Sequence, residues 1–246
     1  MALELIDTLN GIFSLCTIIF SLFVGIRIST KYFKFKRIEF LLFGLCTILL
    51  TEPWWPHSVS FIYALTTGKE GGLQPELYFI IGNVLIPLAL LLWLWLFSEL
   101  IAKEKQKKIL IFGVIYLTIF EIIFFSMLFL DPTLIGELQG PVHVKYNYGL
   151  IYLLLSGVII ASITGLKFIH ESLRSDNPEI KFRGKLIMIA ITILFAGAIL
   201  EALLSSIIFF LILSRILLIF CGFFFYISLI PPKRIKNRFQ KENAKI

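Results

Sequence analysis

The chain has 246 residues, of which 58% are hydrophobic and only 16% charged, with a net charge of +7 and a mean hydropathy of +0.91. That balance excludes an ordinary soluble globular domain. A bilayer core about 30 Å thick takes roughly 20 apolar helical residues per crossing, and charge-poor runs of that length recur along the whole chain.

Seven crossings are predicted, at about 8–30, 38–55, 77–102, 109–130, 148–169, 184–206 and 209–230. The runs are continuously apolar, twice the length of a membrane strand, and lack the alternation a barrel requires. The expected fold is therefore an all-α integral membrane protein, a seven-transmembrane helix bundle over 1–230 with a basic tail at 231–246. Glu4 and Asp7 precede the first run where a signal peptide would carry positive charge, so this span is expected to be retained.

The second run ends in Leu50-Thr51-Glu52-Pro53-Trp54-Trp55-Pro56-His57-Ser58. Trp54 and Trp55 lie roughly 27 Å along a helix from the basic Lys36 and Arg37, the depth of an aromatic belt. They are read as interfacial anchors at a helix end broken by two prolines, with His57 as a solvated turn residue and a short surface helix from Val59 to Thr66. Glu52 then faces either headgroups or a cavity in the bundle.

In the third run Pro87 cannot donate to the Asn83 carbonyl, which predicts a kink and leaves Asn83 able to bond across helices. Between the fourth and fifth runs, residues 131–147 place Gln139-Gly140-Pro141 between two short alternating stretches, the pattern of a small hairpin. It reads as a lid over the bundle or as a plain connector. The fifth run carries Gly157, Ala161 and Gly165 at four-residue spacing, which suits close packing within the chain or a dimer contact. Residues 184–230 are long enough for two helices joined by a tight turn.

Charge distribution sets the expected orientation. Lys31, Lys34, Lys36 and Arg37 follow the first run, Lys103, Lys105, Lys107 and Lys108 the third, and Lys167, Arg174, Lys181, Arg183 and Lys185 the fifth. Lys233, Arg234, Lys236, Arg238, Lys241 and Lys245 fill the tail, whereas the opposite connections hold only Lys69 and Lys145. The positive-inside rule puts the N-terminus outside and the C-terminus in the cytosol of a multi-pass protein of the cell membrane. Basic residues split among four juxtamembrane segments do not form a nucleic-acid surface. They suit anionic lipid at the inner face, or a separate cytosolic signalling partner.

Glu121, Glu201 and Arg215 are ionisable groups within predicted spans, where such groups are costly, face the interior and take partners. Glu201 and Arg215 are each seven residues from position 208, so a turn there brings them to one depth. They read as an ion pair, or as an anion subsite in which Arg215 is the binder. Glu121 has no basic residue at its own depth and is expected to be neutral at pH 7 unless Arg215 reaches it. Glu52, Asn83, Glu121, Glu201 and Arg215 are the ligand-binding candidates.

Cys16, Cys46 and Cys221 all fall within spans and read as packing residues, and His57, His143 and His170 stand on different segments, so no metal site is expected. The cytosolic connections are too short for a catalytic domain, and no nucleophile and base pair is visible, so neither enzyme activity nor a cofactor is expected.

The inner end of the third span reads Ser98-Glu99-Leu100, without the Asp-Arg-Tyr of G-protein-coupled receptors, and the seventh span has no lysine for a retinal Schiff base. Instead Pro53-Trp54-Trp55-Pro56, Ile81-Gly82-Asn83, Gly136-Glu137-Leu138-Gln139-Gly140-Pro141-Val142 and Ser172-Leu173-Arg174-Ser175-Asp176-Asn177-Pro178-Glu179 resemble stretches of an uncharacterised archaeal family of seven-transmembrane proteins. The layout is also similar to the seven-helix sensory modules of histidine kinases. The resemblance implies the fold and transfers no ligand or catalytic residue. The expected function is a membrane sensor or receptor-like protein with a small or lipidic ligand near the outer third. A small proton-coupled transporter using Glu121, or a structural membrane protein without a ligand, is the alternative.

Overall fold

A computed structural model describes residues 3–68, 72–204 and 207–231 of the chain. Among the described residues, seven helical segments are long and apolar enough to cross a membrane: Leu5–Phe35, Ile38–Thr67, Pro75–Ile101, Lys103–Leu130, Tyr148–Arg174, Pro178–Glu201 and Ile208–Leu229. The first span is α1 (Leu5–Ser29) continued by α2 (Lys31–Phe35). The second is α3 (Ile38–Leu49), a 3₁₀ turn (Glu52–Trp54) and α4 (Trp55–Thr67), and the third is α5 (Pro75–Asn83) followed by α6 (Ile86–Ile101). Helices α7 (Gln106–Leu130), α8 (Tyr148–Arg174), α9 (Pro178–Leu204) and α10 (Ile208–Leu229) supply the remaining four.

The second span departs from expectation. It does not end at Trp55 but bends and continues to Thr67. Pro53 and Pro56 each fall in the first turn of their helix, where the missing N–H leaves no intrahelical bond unmade. The prolines therefore bend the helix without stopping it. The stop comes at Gly68, whose left-handed backbone (φ 66°) lets its N–H cap the Ala64 carbonyl. The short surface helix expected at Val59–Thr66 is thus the continuation of the second span, and Pro56, His57 and Ser58 are buried inside the bundle.

In the third span the kink falls where Pro87 requires it: α5 ends at Asn83, and α6 restarts with Pro87 in its first turn. The predicted hairpin is present as β1 (Gly136–Leu138) and β2 (Val144–Tyr146), an antiparallel pair in the register Gly136↔Tyr146, Glu137↔Lys145 and Leu138↔Val144. The turn expected at position 208 falls earlier, since α10 already begins at Ile208; residues 205–206, Lys69, and the basic tail from residue 232 onward lie outside the described residues.

Helix α1 is inverted relative to a simple amphipathic helix. Its buried face carries Asp7, Asn10, Ser14, Thr17 and Ser21, while Ile12, Ile19, Phe23 and Ile26 point outward. That suits a helix with lipid on one side and a polar bundle interior on the other. It packs against α3, α4 and α10, and α3 in turn meets α6. The backbones of α1 and α3 nearly touch, since a Cβ built on Gly44 falls 2.5 Å from the Gly25 carbonyl oxygen. The small row on α8 packs within the chain: a Cβ on Gly157 falls 3.0 Å from the Tyr116 hydroxyl, and one on Gly165 falls 3.4 Å from Ile191. Cys46 and Cys221 are buried, but Cys16 is exposed on the outward face of α1, against the expectation that it packs.

Two apolar clusters divide the interior. One, near the basic connections, gathers Val24, Ile28, Leu42, Phe43, Leu96, Ile187 and Phe225. The other lies beside the hairpin and gathers Tyr78, Phe79, Phe120, Phe124, Ile135 and Leu150. The polar groups occupy the space these clusters leave.

Candidate functional site

Arg215 sits on α10 and is fully buried, the largest such side chain among the described residues. Its Nη2 donates to Glu201 Oε1 at 2.9 Å and to Asn10 Oδ1 at 2.8 Å, while Nη1 donates to Glu201 Oε2. The Ser214 hydroxyl lies 2.9 Å from Glu201 Oε2 and 2.8 Å from the Leu211 carbonyl, between which it can place its one proton. The two-pronged geometry is the strong form of a guanidinium–carboxylate pair. It joins spans six and seven at one level, the pairing expected, although the turn precedes Ile208, where α10 begins, and the two residues are not equally spaced from it.

The pair is tied to the first and second spans. The guanidinium carbon lies 5.4 Å from the centre of the Trp54 ring, a cation–π contact. Trp54 is 8% exposed, so it is an internal platform and not an outward-facing belt residue. Trp55 is half-buried and its indole N–H donates to Thr51 Oγ1 at 3.3 Å. His57, expected in solvent, is 6% exposed, with its ring 5.7 Å from that of Tyr78 on α5.

Asn10 connects the ion pair to the hairpin. Its Oδ1 accepts from Arg215 and from the Ser14 hydroxyl at 3.3 Å, and its Nδ2 donates to the Val142 carbonyl at 2.8 Å. The next hairpin carbonyl, that of Pro141, accepts from the Ser60 hydroxyl, and the same hydroxyl oxygen accepts from Leu73 N–H at 3.0 Å. Ile135 and Val142 are fully buried, so the hairpin is seated into the bundle end. Burial also pushes the Tyr146 hydroxyl above its ordinary pKa of 10.0.

Glu52 has a role the sequence did not reveal. Its Oε1 accepts from Leu85 N–H at 2.7 Å, in the gap between α5 and α6 where the helix break releases a backbone donor. One carboxylate thus ties the bend of span two to the kink of span three. Asn83 is buried, its Nδ2 donates to Phe79 O of its own helix at 2.9 Å, and its side chain also lies against the Tyr146 hydroxyl of the hairpin. Glu121 is half-buried on α7, within electrostatic reach of Glu52, and one of its carboxyl oxygens is buried with no hydrogen-bond partner. Arg215 is committed to Glu201, so it does not reach Glu121.

Five further buried polar atoms lack a hydrogen-bond partner around this end of the bundle: Glu52 Oε2, His57 Nδ1, Tyr78 Oη, Tyr146 Oη and Arg215 Nε. Below Trp54 lies a cavity of about 30 Å³, lined by Thr17, Ser21, Thr47, Leu218 and Phe225 among others. It has room for about one water molecule. Among the described residues no three His, Cys, Asp or Glu side chains come together as a metal site. No known protein family, curated protein or solved structure matches the chain.

Of the residues singled out from sequence, Glu201, Arg215 and Trp54 meet, and Glu52 and Asn83 flank the kink beside them. Asn10, Ser14, Ser60, Tyr78 and Ser214 were missed. The spacing of Asn10, Ser14, Thr17 and Ser21 on one face of an otherwise apolar span was the signal that could have found the first two.

Proposed function

We propose that the protein is a seven-helix membrane sensor or receptor-like protein whose hairpin is an external lid over a ligand site in the outer third of the bundle. The observation that carries this reading is the line Val142 carbonyl, Asn10, Arg215, Glu201, which links the hairpin to spans one, six and seven. A ligand that lifts the hairpin loosens Asn10 and thereby the seventh span, whose far end packs in the apolar cluster beside the basic connections. The N-terminus and hairpin are then outside, the basic tail is cytosolic, and the protein resides in the cell membrane, consistent with the positive-inside rule. Basic residues at the inner face hold anionic lipid or dock a separate cytosolic partner. The layout resembles that of seven-helix sensory modules.

Two measurements test this. Gln139→Cys and Gln240→Cys, each on a background with Cys16, Cys46 and Cys221 replaced by serine, report orientation. An impermeant thiol reagent should label position 139 and not position 240 in intact cells, and the reverse pattern would invert the topology. Spin labels at Lys36→Cys and Lys105→Cys, at the basic ends of spans one and four, then report transmission. Asn10→Ala should broaden or split their distance distribution, and an unchanged distribution would remove the sensor reading.

The unpartnered carboxyl oxygen of Glu121, within reach of Glu52, favours a second reading as a small proton-coupled carrier. In that case liposomes loaded with a pH-sensitive dye should acidify under an imposed potential, and Glu121→Gln should abolish the flux. A protein that neither moves protons nor responds to Asn10→Ala is structural.

A further inference from the structure

Resting on the sensor reading, we propose that Arg215, His57 and Tyr78 form a binding site for the uncharged carbonyl or hydroxyl group of a small amphiphile. The three residues come from α10, α4 and α5, so the site is assembled by spans seven, two and three.

Their proximity follows from contacts already described. Arg215 stacks over Trp54, and His57 lies one turn further along the same helical face as Trp54. The His57 ring meets Tyr78. Both Arg215 and Glu201 act electrostatically on His57 and on Tyr78. Each residue also keeps a buried atom without a hydrogen bond: Nε of Arg215, Nδ1 of His57 and Oη of Tyr78. The Pro53 carbonyl one turn back also lies close to the His57 ring.

Buried polar groups in folded proteins are almost always paired, because an unpaired one forfeits its hydration without compensation. Three on three neighbouring helices, beside a hairpin whose Tyr146 ring packs 6.4 Å from that of Phe79, point to a guest that pairs them. Two of the atoms belong to groups that can accept as well as donate, whereas Arg215 Nε can only donate. A carbonyl oxygen accepting from Arg215 Nε and from the Tyr78 hydroxyl, or a hydroxyl accepting from Arg215 Nε and donating to Tyr78 or His57, pairs two of the three.

Charge decides between ligand classes. The Arg215 cation is already matched by Glu201 through both prongs. An anion entering here would face the Glu201 carboxylate in a low-dielectric interior, and a cation would face Arg215. The anion subsite, read from sequence as the alternative to an ion pair, is thereby disfavoured and an uncharged group fits. Tyr78 also belongs to the apolar cluster with Phe79, Phe120 and Phe124, which offers a hydrocarbon body an aromatic wall. The roof is held at its turn by Asn10 and Ser60 on the Val142 and Pro141 carbonyls, so lifting the hairpin opens the site.

The test uses the full chain in phosphatidylcholine nanodiscs, with octan-2-ol, octanoate at pH 8 and n-octane as probes and melting temperature as readout. Octan-2-ol should raise the melting temperature saturably, octanoate should not, and Tyr78→Phe should weaken the apparent affinity for octan-2-ol about fivefold to tenfold, the loss of one hydrogen bond. If octan-2-ol acts no differently from octane, or acts equally on Tyr78→Phe, the proposal fails. Preference for octanoate would also overturn it, as an anion site. Should Tyr78→Phe not fold, His57→Leu carries the same comparison. Saturable binding of octan-2-ol without any response of the inner spin labels to Asn10→Ala would leave the site and remove the sensor. The converse result would keep the sensor and remove this ligand class.

Discussion

Arg215 and Glu201 meet fork to fork across the sixth and seventh spans, with Nη2 2.9 Å from Oε1 and Nη1 on Oε2. Removing one partner leaves a charge with no counterion, whereas removing both leaves an apolar contact. Arg215→Leu should therefore destabilise the protein by about 3–5 kcal/mol, and Glu201→Leu combined with Arg215→Leu should recover part of that loss. Thermal melting of the single and double variants in detergent measures the coupling. Additive losses would show that the pair contributes nothing as a pair.

How much of this was readable in advance depended on whether one helix or several decided the outcome. The span count, the Pro87 kink and the 136–146 hairpin follow from local pattern, and all three are present. The Glu201 and Arg215 pairing was readable because two opposite charges on adjacent spans of one helical hairpin need partners inside a membrane, although the turn comes before the position 208 that the counting assumed. Glu52 meeting Leu85 was not readable, since it requires knowing that span two lies against span three at the level of its break. Trp54 and His57 were misread for a related reason. Paired prolines and tryptophans mark a helix end at a membrane surface as well as a bend inside a bundle, and only the neighbouring helices distinguish the two.

Glu52 fills a backbone vacancy, so the identity of its charge should matter less than the oxygen. Glu52→Gln retains an acceptor for Leu85 N–H and should stay within about 1 kcal/mol of wild type, whereas Glu52→Ala should lose roughly 1–3 kcal/mol. Hydrogen exchange at the Leu85 amide separates this from a general loss of stability. It should accelerate in Glu52→Ala beyond the change at amides in the middle of α6. Equal protection in both variants would mean that the bond at 2.7 Å is not what holds the kink.

Gly44 and Gly25 stand where two backbones cross. A Cβ on Gly44 would come within 2.1 Å of the Ser29 hydroxyl oxygen, 2.5 Å of the Gly25 carbonyl oxygen and 2.8 Å of the Ser29 nitrogen, and two of these are main-chain atoms that cannot swing aside. Gly44→Ala should force α1 and α3 apart and lower stability by about 1–3 kcal/mol. At Gly157 the obstacle is only the hydroxyl end of Tyr116, so Gly157→Ala should be milder. Melting temperatures in the reverse order would place the tight crossing on α8 instead.

Tyr146 makes the hairpin's seating sensitive to alkali. Burial holds its hydroxyl pKa above the ordinary 10.0, so the folded protein keeps this phenol neutral after an unfolded chain has begun to ionise it. Below pH 10 the group is protonated in both states and its contribution to stability is fully present. As pH rises past 10 the unfolded state gains a charge that the folded state refuses, and stability falls until the folded pKa is reached. The melting temperature of wild type should thus decline more steeply above pH 10 than that of Tyr146→Phe, while the two should run parallel between pH 7 and pH 9. Phenolate absorbance gives an independent check, because one slowly titrating tyrosine should disappear in the variant. Parallel decline through the whole alkaline range would mean that the hydroxyl is solvated, and with it that the hairpin does not press Tyr146 into the bundle.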